Sequence, residues 1–452
     1  MPINEQASAG MVGEEPHRRL SRLLEEGTAT VAVMGLGYVG LPLALTAAER
    51  GFQVLGFDTD ENKVEALNAG RPYLRHVAAQ RLCGLLAERR FSASADLGRL
   101  AEADLIAICV PTPLTPQREP DLRYVASTAQ AISDRLCRGQ LVVLESTTYP
   151  GTTKELVQPI LERSGLVCGA DFFLAYSPER ENPGDPTGSI GYTPRVVGAD
   201  DARSSELAEV FYKRVAPSVV RLSTSRAAEA TKLLENIFRG VNIALVNELK
   251  IIYERMGIDI WEVLDAAATK PFGFMRFDPG PGWGGHCIPI DPFYLAWKAR
   301  EYGLTAQFVE LAGEVNARMP EYVVERLSRA LNARGKPVNG ARILLLGMAY
   351  KDNVDDVRES PGFVILDLLT RLGAKVSYHD PLVPRTPKMR HFAAFAGMVS
   401  VTLERATLEA QDAVIVVTAH TDVDYDLVRR HSALIIDTRG VYRGDTSNVV
   451  RA

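Results

Sequence analysis

The sequence predicts an α/β protein: two Rossmann-like, doubly wound parallel-sheet domains joined by a central helical domain with one long helix. Three observations carry this expectation. Short strand-like runs alternate with amphipathic stretches up to about residue 216. A helical stretch without proline then runs from Arg226 to Met256. Strand and helix patterns alternate again in the last part of the chain. At 452 residues the length itself implies about three domains. The expected divisions are 1–27 as a polar N-terminal tail, 28–216 and 326–452 as the two α/β domains, and 217–325 as the helical one.

Composition narrows the function classes. An apolar fraction of 46% with 24% charged residues is that of a globular chain. A net charge of −5 gives no global attraction to nucleic acid or to anionic membranes, although a local basic patch can still hold phosphate. The five cysteines, Cys83, Cys109, Cys137, Cys168 and Cys287, are odd in number and form no CxxC pair. A disulfide framework and a structural zinc site are therefore not expected; no metal is, and a reducing cytoplasm fits best. The first 27 residues hold no apolar core of signal-peptide length, and no run reaches the roughly 20 apolar residues of a membrane span.

The first strand, Thr30–Met34, leads directly into Gly35-Leu-Gly37-Tyr38-Val39-Gly40, which opens a helix. Gly35 permits the tight turn, Gly37 lets backbone approach a pyrophosphate, and Gly40 lets helix and strand pack closely. The second strand, Gln53–Phe57, ends at Asp58, whose carboxylate can accept from both ribose hydroxyls and would repel a 2′-phosphate. NAD rather than NADP is the expected cofactor. Lys63 either adds a ribose contact or is a solvated helix charge. Further strands at Leu105–Val110, Leu141–Leu144 and Phe172–Tyr176 bring Pro111, Thr112, Ser146 and Thr147 to the same edge. Ligands bind there in open α/β sheets, though the same residues also suit plain strand-ending turns.

In the long helical stretch, Lys232 and Asn236 are four apart and share a face, where a cation and an amide can hold an alkoxide; a solvated helix face is the plainer alternative. Glu179, in Ser177-Pro-Glu179-Arg180-Glu181, offers a carboxylate just after the fifth strand. The densest unusual segment is Pro279-Gly-Pro-Gly-Trp-Gly284-Gly-His286-Cys287-Ile-Pro-Ile-Asp291. Its glycines let backbone come close to a ligand, and Cys287 is the one cysteine in such a setting. Asp291 can orient a base or activate water. His286 is a candidate base, although side chains of adjacent residues usually diverge. A nicotinamide cofactor beside a nucleophilic cysteine suits oxidation of an alcohol to an acid, through an aldehyde, a thiohemiacetal and a thioester. Four strands return in the last part: Ile343–Leu346, Lys375–Tyr378, Ala413–Val417 and Leu434–Ile436.

Six motifs in order, GLGYVG, STT, SPER, EATKLLEN, GGHCIPIDP and GMAYKDNVDDVRES, together resemble the UDP-glucose/GDP-mannose dehydrogenase family over about residues 28–445. The resemblance implies an NAD-binding domain, a central dimerisation domain carrying the cysteine loop, and a C-terminal domain that binds UDP. It implies Cys287 as the thiol nucleophile, Lys232 and Asn236 as the oxyanion pair, Asp291 as the acid that helps activate water, Glu179 as the carboxylate for thioester hydrolysis and Thr147 beside the reacting alcohol. Arg358 is implied to reach the cofactor. The implied substrate-binding set is Arg180, Glu181, Lys232, Asn236, Arg276, Gly284 and Lys351.

The version GGHCIPIDPFYL with PFGFM and SPER is similar to the branch that acts on UDP-N-acetylglucosamine; UDP-glucose enzymes usually carry a lysine where Ile290 stands. That branch has proline at the position of Arg276, so Arg276 either contacts sugar or diphosphate or lies at the surface. UDP-glucose, UDP-N-acetylgalactosamine and UDP-N-acetylmannosamine are the alternative substrates. An inactive nucleotide-binding scaffold is the alternative class; it would require loss of a key side chain, and Cys287, Lys232, Asn236, Asp291 and Glu179 are all present.

Overall fold

The computed structural model describes residues 15–452 apart from 75–76, 116, 181–192, 286–287, 390 and 445–446. The sequence candidates Glu181, His286 and Cys287 lie outside the described residues. The fold is mixed α/β with parallel sheets, and the chain divides into two compact units, Met1–Leu234 and Glu235–Ala452.

Among the described residues the first unit is built on eight strands: β1 (Thr30–Met34), β2 (Gln53–Phe57), β3 (Phe91–Ser94), β4 (Leu105–Ile108), β5 (Leu141–Leu144), β6 (Phe173–Tyr176), β7 (Arg195–Ala199) and β8 (Val219–Leu222). Their order is β3-β2-β1-β4-β5-β6-β7-β8, and every neighbouring pair is parallel except β6–β7. A parallel sheet is covered on both faces, so its strands are apolar on both. Val31 and Val33 pack into one core cluster, while Ala32 and Met34 pack into another. The strand order reverses between β1 and β4, which opens a crevice at the carboxyl ends of those strands.

The expected tail is corrected over its last part. Pro16–Glu26 form a helix, stopped by Gly27 at φ 74°. Leu20 and Leu24 are fully buried in the first core cluster. Proline at the helix start, Leu20, Leu23 and Leu24 at helical spacing and glycine at the end are the signals. The first sheet also continues past position 216 into β8, a half-exposed strand with no buried apolar run to announce it.

The long helix, Ser225–Arg255, follows β8 and passes from the first unit into the second. In the second unit it is followed by helices Ile260–Ala267, Asp291–Glu301 and Gln307–Asn332. A five-stranded parallel sheet follows: β9 (Arg342–Leu346), β10 (Lys375–His379), β11 (Ala413–Val416), β12 (Ile435–Asp437) and β13 (Val449–Arg451), ordered β10-β9-β11-β12-β13. Its order reverses between β9 and β11. Ile343 and Leu345 face one core cluster, Leu344 and Leu346 the other. Lys250, on the buried side of the long helix, donates to the carbonyls of Ala452 and, at 3.4 Å, Thr438. Burial pushes its ammonium down to about 7, although Asp437 pulls the other way.

Two outcomes are expected. Leu24→Ala should cost about 2–5 kcal/mol of stability in a urea titration; a loss below about 1 kcal/mol would show that the N-terminal helix is not core. Lys250 is neutral in the folded chain above about pH 7, whereas an unfolded lysine keeps its proton to about 10.4. Stability contributed by this group is therefore lowest below about pH 7 and rises between about 7 and 10, by at most about 1.4 kcal/mol per pH unit. Lys250→Met should flatten that rise; parallel stability–pH curves for the two proteins would contradict it.

Candidate active site

The turn after β1 has the geometry its glycines require. Gly35 sits at φ 93°, and a Cβ there would meet the Cys109 carbonyl oxygen at 2.7 Å. A Cβ on Gly40 would meet the Gly35 carbonyl oxygen at 1.9 Å, whereas one on Gly37 would meet nothing within 4 Å. The middle glycine thus borders open space, as a turn that receives a pyrophosphate needs. The helix Gly40–Glu49 opens behind it, and Val39 at its N-cap supplies no side-chain capping bond.

Asp58 closes this corner. Its Oδ2 accepts from Leu36 N at 3.1 Å and from Lys63 Nζ at 3.4 Å, and its Oδ1 accepts from Asp60 N at 3.0 Å. Lys63 is thus neither merely solvated nor aimed away: it pairs with Asp58 and lies 5.7 Å from the centre of the Tyr73 ring. Tyr73 donates to the Leu36 carbonyl, and burial, with Asp58 and Asp60 adding, pushes its phenol well above the usual range. Sequence reasoning missed Tyr73 because it stands in a polar loop with no motif. Open space at Gly37, a helix start behind it and a carboxylate with spare acceptor capacity fit NAD.

The ends of β4, β5 and β6 carry the next group. Pro111 is exposed and Thr112 buried. The Ser146 hydroxyl donates to the Val110 carbonyl at 2.7 Å, so its proton is committed to tying β5 to β4. Thr147 is half-buried, beside the fully buried Thr148. Glu145, just before them, is enclosed: Arg195 Nη1 lies 3.2 Å from its Oε2, and Tyr212 donates to its Oε1. Arg195 also donates to the Pro178 carbonyl at 3.1 Å, so one guanidinium spans the residues that precede Thr147 and Glu179. Nothing in the sequence marked Arg195, because its partners are 50 and 17 positions away. Lys232 is buried; its ammonium donates to the Glu179 carbonyl and lies 3.5 Å from Glu179 Oε2. Arg180 donates to the Pro194 carbonyl at 2.7 Å.

In the second unit Asn236 is buried and its Nδ2 donates to Asp291 Oδ2 at 2.6 Å. Asp291 opens the helix Asp291–Glu301, where the helix dipole favours its charge. The glycines of the 279–285 loop meet their own chain. A Cβ on Gly284 would meet Tyr350 Cβ at 2.7 Å and the Glu359 carbonyl at 2.9 Å, and Gly285, at φ 83°, donates its N–H to the Arg358 carbonyl. Close packing against Tyr350 and Glu359 excludes a side chain at Gly284. Arg276 is clamped by Asp265 at 2.6 Å and Asp278 at 2.9 Å. Arg358 is exposed and forms a bidentate pair with Asp356. Lys351 is half-buried in the turn after β9.

That turn repeats the geometry of the first one. Gly347 sits at φ 85° against Thr418, and Asp380, at the end of β10, accepts from Met348 N at 2.6 Å. Here, however, His420 Nε2 lies 3.2 Å from Asp380 Oδ2 and the carboxylate is buried. His420 Nδ1 accepts from Asn353 N, which leaves Nε2 as the donor.

Among the described residues, no helix is long and apolar enough to cross a membrane, and no cluster of three or more His, Cys, Asp or Glu could hold a metal. Cys168 is a poor nucleophile: burial, with Asp201 and Glu162 adding, pushes its thiol up to about 12.

Residues 29–216 match the NAD binding domain of the UDP-glucose/GDP-mannose dehydrogenase family, 226–318 its central domain and 344–444 its UDP binding domain. A UDP-N-acetyl-D-glucosamine 6-dehydrogenase of Pseudomonas aeruginosa is 36% identical over 394 residues, covering 87% of this chain and 90% of that protein. An NDP-N-acetyl-D-galactosaminuronic acid dehydrogenase of Ralstonia nicotianae is 33% identical over 432 residues, covering 94% and 98%. The solved structure of the UDP-D-ManNAc dehydrogenase of Pyrococcus horikoshii superposes with a TM-score of 0.84 at 30% identity, covering 93% of this chain and 98% of that one. With three matched domains in order and relatives aligned over nearly their full length, the chain belongs to the UDP-glucose/GDP-mannose dehydrogenase family, the NAD-dependent nucleotide-sugar dehydrogenases.

Proposed function

We propose that this chain oxidises the C6 hydroxyl of a UDP-N-acetylhexosamine, with UDP-N-acetylglucosamine as first choice, to the carboxylate through intermediates on Cys287. The observation that carries the reading is a pair of buried polar contacts one turn apart on a single helix: Lys232 with Glu179, and Asn236 with Asp291. A buried cation and a buried amide with no role would cost stability. Set in place before substrate arrives, they are the donors that a developing alkoxide requires.

NAD would supply, when bound, the hydride acceptor for each of two oxidations, so that an alcohol, one water and two NAD would become a carboxylate, two NADH and three protons. Gly35, Gly37 and Gly40 with Asp58 hold that cofactor. Thr147 faces the alcohol, whose oxygen Lys232 and Asn236 stabilise as its proton leaves. The Cys287 thiolate then forms a bond to the aldehyde carbon, and the same two donors hold the resulting oxyanion. After the second oxidation the carbon is a thioester. Glu179 and Asp291 take the proton of the water that cleaves it, and the sulfur leaves as thiolate. Lys351 and the second unit's sheet hold the UDP end.

For the sugar, support comes from the loop sequence GGHCIPIDPFYL and from the Pseudomonas aeruginosa relative. Relatives named for N-acetylmannosamine and N-acetylgalactosaminuronic acid keep those substrates as the second reading. Assembly as a homodimer is part of the proposal: Phe238, Leu245 and Ile252 recur every seven residues on the long helix and are exposed. A reducing cytoplasm suits the free state of Cys83, Cys137 and Cys168.

The test offers the protein UDP-N-acetylglucosamine, its galacto and manno epimers and UDP-glucose, and counts NADH per sugar consumed. Two NADH per UDP-N-acetylglucosamine, with that sugar giving the highest kcat/KM, is expected; one NADH per sugar would sink the double oxidation. Cys287→Ala should abolish acid formation, and acid formed at the parental rate would remove Cys287 from the nucleophile's role.

A further inference from the structure

Glu229 lies on the long helix three residues before Lys232, and its side chain is fully buried. Its side chain turns to the segment that follows β5. Its Oε1 accepts from Thr153 N at 2.8 Å and from Thr153 Oγ1 at 2.7 Å, and its Oε2 accepts from Gly151 N. Gly151 stands at φ 110°, the left-handed conformation that turns its N–H toward the carboxylate.

The same segment is fixed at its start. Glu145 is held by Arg195 and Tyr212, and Ser146 by the Val110 carbonyl. Thr147 therefore sits on a short span of chain anchored at both ends, and the far anchor is a side chain of the helix that carries Lys232. We propose that Glu229 is a positioning residue: its carboxylate fixes the Thr147 segment against the Lys232 helix, so that hydroxyl and ammonium meet one substrate oxygen. This rests on the functional reading of Thr147 and Lys232 given above.

The chemistry of the contact explains why an acid is needed. Three donors converge on one carboxyl group, and only the ionised form offers acceptors alone. An amide of the same shape must turn an N–H toward at least one of those donors and leave it unpaired. Burial pushes the carboxyl up to about 7, while the bonds from Thr153 and Gly151 pull it down. Glu229 touches backbone and a threonine hydroxyl rather than the reacting atoms, so it acts through Thr147.

The experiment uses the full chain with NAD and UDP-N-acetylglucosamine, and builds a double-mutant cycle from Glu229→Gln and Thr147→Val. Glu229→Gln should lower kcat by about 10-fold to 100-fold and leave both KM values within about twofold. In the Thr147→Val background the same change should cost less than about twofold, because the group it positions is gone. Thr153→Val, which removes one donor and leaves the carboxylate in place, should lower kcat by about threefold to tenfold, again only when Thr147 is present. A cost undiminished in the Thr147→Val background, or parental kcat in Glu229→Gln or Thr153→Val, overturns the proposal. If the unsubstituted chain forms no NADH from any UDP-sugar, the functional reading falls and this proposal with it; if NADH forms and the losses are additive, this proposal falls alone.

Discussion

A helix that buries polar side chains must find each of them a partner, since an unpaired buried charge or amide costs several kcal/mol. The helix Ser225–Arg255 does this six times, beginning with Ser225, which donates to Asp200 Oδ2. Glu229 accepts from Gly151 and Thr153, Lys232 donates to Glu179, and Asn236 donates to Asp291. Asn247 donates to Asn316 at 2.8 Å and accepts from Gly280, and Lys250 donates to the carbonyls of Thr438 and Ala452. Asn316 lies inside the helix Gln307–Asn332; every other partner belongs to a strand end, a loop or a helix start that is thereby placed. The candidate catalytic groups Lys232 and Asn236 are two members of this row. Their preorganisation is a consequence of folding, which is when electrostatic catalysis requires that cost to be met.

The two sheets solve a common problem in two ways. Each opens at its switch point with a left-handed glycine, Gly35 or Gly347, whose missing Cβ admits the backbone of the neighbouring strand's end. Each places an aspartate where the next strand ends, and each aspartate accepts from the residue after the glycine. Asp58 keeps part of its surface and has Lys63 beside it, which suits a ribose. Asp380 is sealed by His420 and by the N–H groups of Met348, Ala349, Leu382 and Val383. Its carboxylate organises the turn that bears Lys351 and has no acceptor left to offer a ribose. Asp380 thus serves the fold of its own turn, whereas Asp58 keeps acceptor capacity for a ligand.

The core strands were legible because parallel strands covered on both faces are continuous apolar runs. β1, β2 and β5 have the bounds that the pattern implies. Strands at or near the edges escaped: β3, β8 and β13 alternate or stay half-exposed, so nothing in them reads as a buried run. β7 escaped for another reason, since it opens on a charged residue, Arg195, that is fully used inside the fold, and only Val196–Ala199 remain as an apolar run. The N-terminal helix was readable from Leu20, Leu23 and Leu24 but was masked by the polar residues around them. Of the candidate site, the glycine turn, Asp58, Lys232, Asn236 and Asp291 carry local spacing that chemistry can interpret. Tyr73, Arg195 and His420 act through partners distant in sequence, and a single sequence holds no signal for such pairings.

The central claim is that oxidation stops at a thioester on one sulfur, which the carboxylates of Glu179 and Asp291 then open to water. Intact-protein mass measurement on the Glu179→Gln protein, quenched in acid after mixing with NAD and UDP-N-acetylglucosamine, tests this most directly. The account predicts a mass gain of one oxidised UDP-sugar, confined to the peptide that contains Cys287 and removed by hydroxylamine. Formation of NADH with no adduct on that peptide, or an adduct on another residue, would contradict it.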